Sequence, residues 1–116
     1  MATISPEISR TIAGIPRIIW EELATGDTVN PLAIREQWGL AASVQISGTF
    51  GSATVVMQHS NDGVTWFTAK DLQGNDISVT AAGIAEFSLS SAYIRPGISG
   101  GTGDDIDVIV VLRGLY

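Results

Sequence analysis

The sequence ATVVMQHSNDGVTWFTA, residues 53–69, contains two β-strand patterns joined by a turn. In its first half the side chains alternate, so that Val55 and Met57 fall on one face of a strand. Asp62 and Gly63 supply turn chemistry, because glycine readily adopts the positive φ angle that tight hairpin turns require. The strand pattern then resumes. The stretch therefore predicts an antiparallel hairpin, with Asp62 and Gly63 as its structural turn residues.

The same pattern of short apolar segments and glycine-rich turns recurs along the chain. The composition agrees with it, since 14 Ile and 9 Val against 7 Leu, with 13 Gly, favour strands over helices. The candidate strands are Arg17 to Leu23, Leu32 to Ile34, Ala42 to Gly48, Ala53 to Ser60, Val64 to Ala69, Asp76 to Thr80, Ala85 to Ser90, Ala92 to Ile98 and Ile106 to Arg113. They predict an all-β, two-sheet sandwich of about eight antiparallel strands, of jelly-roll or immunoglobulin-like type.

Length and charge limit the classes of function. A chain of 116 residues is long enough for one domain with its own core. It has no cysteine, which excludes disulfides and thiolate metal sites. The net charge of −6 makes binding to nucleic acid unfavourable, because that affinity depends largely on Lys and Arg. The longest apolar run, Val108 to Leu112, is too short to span a bilayer, so we expect no membrane partner.

Residues 1–15 differ from the rest of the chain. The isoleucines of this segment stand among polar residues and prolines, at Ile4, Ile8, Ile12 and Ile15. One interpretation is an extended N-terminal arm that binds a partner surface, followed by a single sandwich domain at 16–116. The other is a disordered tail or a first strand on the domain's own sheet. Under the first interpretation, deletion of residues 1–15 leaves a folded sandwich.

The last predicted strand is apolar on both faces near its carboxyl end. Ile106, Val108, Val110 and Leu112 share one face, while Ile109 and Val111 lie on the other. Such a strand is either central and covered on both faces, or it presents Ile109 and Val111 to another subunit.

No residue pattern indicates catalysis or a bound cofactor. His59 has only Ser60 as a neighbouring nucleophile, and alternation directs that serine to the opposite face, so we expect a packed or interfacial imidazole. Asp104, Asp105 and Asp107 follow a glycine-rich loop, but their spacing matches no EF-hand. We interpret them as a solvated acidic loop that protects a sheet edge. We therefore predict no catalytic site, no cofactor-binding site and no metal site.

Two resemblances to known families rest on short motifs. The hairpin is similar to the S-x-D-x-G-x-T-W Asp-box of β-propeller proteins, one residue short, which implies a turn-forming role for Asp62 and Gly63. The second resemblance is carried by an ordered series of segments: Ile19 to Thr28, Val44 to Gly51, Ser60 to Trp66, and Ala92 to Pro96 followed by Ser99 to Gly101. This series resembles the small β-sandwich decoration, or cement, proteins of tailed bacteriophage capsids.

The second resemblance implies a function without catalysis. Proteins of that kind self-associate, here as a dimer or trimer, and bind the major capsid protein on the outer surface of the virion. Assembly then takes place in the host cytoplasm.

The alternative function is a carbohydrate-binding module, because β-sandwiches can stack sugar rings on exposed indoles. It needs at least two of Trp20, Trp38 and Trp66 exposed on one platform.

Overall fold

Two antiparallel β-sheets pack against each other in the computed structural model, which describes residues 2–34 and 41–113. The regular secondary structure in these two ranges consists of β-strands and includes no helix, which confirms the all-β prediction. No helix long and apolar enough to cross a membrane is found in them. The strands are β1 (Thr3–Ile4), β2 (Glu7–Arg10), β3 (Pro16–Leu23), β4 (Thr28–Val29), β5 (Leu32–Ala33), β6 (Ala41–Thr49), β7 (Thr54–Ser60), β8 (Phe67–Thr68), β9 (Ser78–Val79), β10 (Gly83–Ser88), β11 (Tyr93–Ser99) and β12 (Asp105–Arg113).

The two sheets have different strand orders. The first sheet runs β10-β6-β12-β3-β2, and the second runs β5-β11-β7-β8 with β9 also paired to β7. A short parallel pair joins β1 to β4. The last strand of the chain therefore lies at the centre of the first sheet, paired with β6 on one side and β3 on the other.

The core lies between the sheets and follows the predicted alternation. From β12 it takes every second side chain, beginning at Ile106, and all of these are almost completely buried. Trp20 and Phe87 are the largest side chains in the core. Other members are Ile18, Leu23, Leu32, Ala42, Val44, Ile46, Val55, Met57, Ala69, Ile77, Leu89 and Ile94. Because both sheets contribute, neither can bury its apolar face without the other.

A bulge interrupts the pairing of β12 with β3 between Ile106 and Val108. On the β3 side Glu22 adopts a φ of 57°, which is uncommon for a residue with a side chain. Its backbone N–H donates to the carboxylate of Asp107, with a distance of 3.0 Å to Oδ1. The hydrogen bond helps to hold this strained residue in place, so Asp107 has a structural partner and is not simply solvated.

The N-terminal segment pairs with strands of the same domain. Residues 7–10 form an antiparallel pair with β3 at the edge of the first sheet, and residues 3–4 pair with β4. The backbone N–H of Asn30 donates to the carbonyl of Ile4 at 2.8 Å, and Asn30 in turn accepts a hydrogen bond from the buried indole of Trp20. These pairings agree with the second interpretation of residues 1–15, a strand on the domain's own sheet, and the extended arm stays a prediction.

The predicted strand Val64 to Ala69 is too long. Only Phe67–Thr68 pairs with β7, because the backbone N–H groups of Val64 and Thr65 donate to the Asp62 carboxylate instead. A side-chain acceptor in the turn thus replaces the first two ladder positions.

Gly48 gives a direct test of the packing of β6 against β12. Its φ is 123°, and a Cβ atom there would lie 2.2 Å from the carbonyl oxygen of Asp105. We expect Gly48→Ala to lower the free energy of unfolding by about 2 kcal/mol or more, through strain and steric overlap. The matched control is Gly83→Ala, where nothing lies within 4 Å and φ is not in the left-handed region. Urea unfolding that gives equal stabilities for the two variants would contradict this packing.

Deletion of residues 1–15 distinguishes an integral edge from a separate arm. Because the deletion removes β1 and β2 and uncovers the edge of β3, we expect the free energy of unfolding to fall by roughly 2 kcal/mol or more. The measurement is thermal unfolding of the full-length and truncated chains. An unchanged melting temperature would instead support the extended arm.

Candidate functional site

The outer face of the first sheet carries an apolar centre. Because side chains alternate along β12, Ile109 and Val111 point away from the core that their neighbours fill. Ile109 lies directly opposite Ile19 of β3 on one side and Gln45 of β6 on the other. Gln45 in turn lies opposite Ile84 of the edge strand β10. Ile19, Ile84, Ile109 and Val111 are called the outer patch below.

The exposure of the outer patch increases towards the edge of the sheet. Ile19, Ile109 and Val111 are half-buried by their neighbours, whereas Ile84 is 70% exposed. Sequence reasoning selected Ile109 and Val111 but missed Ile19 and Ile84. The alternation within β3 and β10 is visible in the sequence, yet which strands lie beside β12 is not. Only the pairing brings the four side chains onto one surface.

The patch continues over the edge of the sheet through Leu72. The backbone N–H of Leu72 donates to the carbonyl of Glu86 in β10 at 3.1 Å, which holds the 70–76 loop against that strand. Asp71 fixes the loop by accepting from the backbone N–H groups of Gln73 and Asn75. Leu72, 65% exposed, and Ile84 line one shallow groove there. Polar and charged side chains, including Glu86 and Asp71, surround this apolar surface, as is typical of a protein interface.

The four isoleucines of the N-terminal segment have different environments. Ile4 packs against the core, and Ile15 is half-buried at the turn before β3. Ile8 is 51% exposed on the edge strand β2, and Ile12 is fully exposed at the turn. Only Ile8 and Ile12 therefore offer apolar surface to a partner, and Ile4 is taken up by the domain's own core.

The hairpin after β7 is held by a side-chain network. Asp62 Oδ1 accepts hydrogen bonds from the backbone N–H groups of Val64 and Thr65 and from the Ser60 hydroxyl, all at 2.8 Å. The Ser60 oxygen accepts from the backbone N–H of Gly63 at 2.9 Å. Gly63 has a φ of 75°, in the left-handed region. Ser60 is buried, although alternation placed it on an outer face, because its hydroxyl belongs to this network.

These hydrogen-bond donors lower the pKa of the Asp62 carboxyl group. The backbone N–H groups of Thr65 and Val64, followed by the Ser60 hydroxyl, lower the pKa of Asp62 to about 2. Oδ1 of the solvent-exposed Asp62 carboxylate accepts three hydrogen bonds within the turn, which assigns the residue to the structure of the turn.

The acidic loop before β12 is more ordered than the sequence predicted. Asp104 is buried, and its Oδ2 accepts from the Thr25 backbone N–H at 2.9 Å and from the Thr25 hydroxyl at 2.8 Å. The Thr25 hydroxyl hydrogen bond is the main cause that lowers the pKa of Asp104. The expectation of a solvated loop is therefore wrong for Asp104. Within the described ranges, no three acidic or histidine side chains are grouped as a metal site would need.

Of the three tryptophans, Trp20 cannot contribute to the exposed platform that a carbohydrate-binding module needs. Trp20 is completely buried in the core, and Trp38 lies outside the described residues. Trp66 is half-buried, and the guanidinium of Arg95 covers its ring at 4.1 Å from the centroid. His59 is half-buried, opposite Ile94 and Phe67 in the second sheet.

Comparison with known proteins does not assign the chain to a family. No family model matches the chain, and no curated protein matches it significantly. The candidate site is therefore defined by its geometry, which is an apolar, polar-rimmed sheet face suited to contact with another protein.

The low pKa of Asp62 predicts a pH dependence of stability. Because the folded-state pKa lies below the ordinary value, the ionised carboxylate stabilises the fold above about pH 4. That contribution is lost as the pH falls from about 4 to about 2. We expect Asp62→Asn to be less stable than the native protein at pH 5, with a difference that shrinks towards pH 2. Urea unfolding at several pH values tests this, and a constant difference would contradict it.

Proposed function

We propose that this protein is a non-enzymatic virion structural protein, a capsid decoration protein of a tailed phage. It associates with copies of itself and binds the outer surface of the major capsid protein lattice, which stabilises the head. The ordered series of motifs supports the proposal. The outer patch is the observation that carries it, because a sheet face with an apolar centre gains free energy when another protein covers it.

Symmetry explains how one patch can serve self-association. In a cyclic dimer the same surface of both copies meets, so the side chains of one outer patch face those of the other. A fully buried aliphatic side chain contributes about 1.5 to 3 kcal/mol, and less where it is already half-buried. Ile84 and Leu72, which are the most exposed, therefore have the most to gain.

The N-terminal segment offers apolar surface apart from the outer patch, because Ile8 lies opposite the core residue Ile18 and therefore on the core-facing side of the first sheet. Ile8 and Ile12 lie at the β2 edge of the first sheet, opposite the β10 edge with Leu72. A jelly-roll or immunoglobulin-like sandwich remains the fold type that we propose within the two-sheet architecture.

The proposal predicts that the outer patch is needed for binding to shells. We expect the double variant Ile84→Thr, Ile109→Thr to bind undecorated capsids of the same virus about tenfold more weakly or worse, because it loses apolar contact area. Threonine keeps the β-branched shape that suits a strand. Co-sedimentation measures the binding, and sedimentation velocity reports self-association.

The control is Val64→Thr, which also introduces a threonine hydroxyl at an exposed β-branched residue, in the turn after β7. This variant is expected to bind within about twofold of the native protein, as distant surface changes usually do. Native protein that fails to bind its own shells, or that is monomeric and binds a polysaccharide, would contradict the proposal. The second of those outcomes would favour a carbohydrate-binding module.

A further inference from the structure

The outer face of the second sheet contains a groove with a glycine floor. The groove has a volume of about 380 Å³ and runs beside β11 and β7 towards β4. Gly97 lies opposite Val56, and a Cβ atom on it would come within 3.1 Å of Val56 Cγ2 and 3.2 Å of the Gln58 side chain. The φ of Gly97 is not in the left-handed region, so the backbone does not require glycine. The missing side chain lets Val56 and Gln58 pack closely against the β11 backbone, and Gln58 is the residue that accepts a hydrogen bond from Arg95.

Arg95 stands at one end of this groove in a fixed position. Its Nε donates to Gln58 Oε1 at 2.9 Å, and its guanidinium carbon lies over the Trp66 ring, 4.1 Å from the centroid. A cation stacked on an indole and held by a hydrogen bond loses little further freedom when it binds a ligand. Within the described ranges, Nη1 and Nη2 of Arg95 donate no hydrogen bond. These two nitrogens of the guanidinium are therefore available to a ligand.

Arg95 has no carboxylate partner in the part of the chain that the structure describes, where the one ion pair joins Lys70 to Asp76. Partial burial lowers the pKa of Arg95, which shows that its charge is incompletely solvated. A guanidinium nevertheless stays charged at neutral pH. Arg17 of β3 is likewise half-buried and has no carboxylate partner among the described residues, but its Nε donates to the Ser9 hydroxyl and it does not line this groove.

The other end of the groove limits the charge of a ligand. Asp27 lies there, and its two carboxylate oxygens accept from the backbone N–H groups of Ala2 and Ala24. The negative charge of Asp27 disfavours a second anionic group at that end. The groove therefore suits a ligand that places one negative charge at Arg95 and neutral atoms towards Asp27. It does not suit a polyanion.

We propose that Arg95, Gln58 and Gly97 form a binding site for a single carboxylate, presented by a peptide segment of a partner protein. The planar fork of arginine matches a carboxylate through two parallel hydrogen bonds. A sugar acid would carry the same group, but Arg95 covers one face of the half-buried Trp66 ring, so that face cannot stack a sugar. A peptide is therefore the favoured source.

The test uses the full-length protein labelled with nitrogen-15 and needs no capsids, so its outcome is independent of the decoration proposal. The probes are the capped peptides acetyl-Gly-Glu-Gly-amide and acetyl-Gly-Gln-Gly-amide, and galacturonic acid. We expect the Arg95 Nε–H and Trp66 indole N–H resonances to shift and saturate with the glutamate peptide. The glutamine peptide is expected to bind at least about tenfold more weakly, since it lacks the charge.

Two variants locate the site, and one serves as control. Arg95→Met removes the cation but keeps an apolar stem, and Gln58→Glu places an internal carboxylate beside Arg95; each is expected to weaken glutamate-peptide binding about tenfold. Resonances elsewhere in the groove report binding in the methionine variant. Arg10→Met removes the same charge from the first sheet and is expected to change binding less than about twofold.

Three results would overturn the inference. Equal binding of the two peptides, or no binding of either, excludes a carboxylate site. An equal effect of Arg95→Met and Arg10→Met shows that only net charge matters. Tighter binding of galacturonic acid than of the glutamate peptide identifies a saccharide ligand and excludes the peptide source. Gln58→Glu keeps the test valid if Arg95→Met fails to fold.

Discussion

The pairing of β12 on both of its edges is the constraint on which the rest of the structure depends. This strand lies between β3 and β6, so the first sheet is continuous only when the end of the described chain has joined two strands from its first half. Such pairing between distant segments is slow to form, because the loop entropy is lost before the contacts are gained. The same strand supplies both the core and the outer patch, since the pleat sends Val108 inward and Ile109 outward.

The acidic residues show a second principle, which concerns the loops. Asp27, Asp62, Asp104 and Asp107 each accept hydrogen bonds from backbone N–H groups, and three of them hold segments far apart in the chain. Hydrogen bonds to a charged acceptor are stronger than those between neutral groups. A chain without cysteine thus connects its loops through carboxylates. Part of the negative charge that argues against nucleic-acid binding has this structural use.

The sequence predicted local structure well because local structure depends on alternation and turns. Seven of the nine candidate strands overlap observed strands over most of their length, whereas Val64 to Ala69 and Asp76 to Thr80 are each reduced to two residues, the former by Asp62. Neighbours in space were not predictable, because no local pattern states that β3 and β6 flank β12. For that reason Ile109 was found and Ile19, directly opposite it, was not. Residues 1–15 were ambiguous for the same reason, as their partner strands lie elsewhere.

The two outer faces of the sandwich differ in chemistry, and this difference bears on how the protein can be used. The outer patch lies on the first sheet, whereas the groove at Arg95 lies on the second, and the shared core separates them. A partner that covers one face therefore leaves the other accessible. Apolar contact gives affinity with little directional preference, while a fixed guanidinium selects one chemical group. A protein with both can associate through one sheet and recognise a specific segment through the other, so that assembly and recognition do not compete for the same surface.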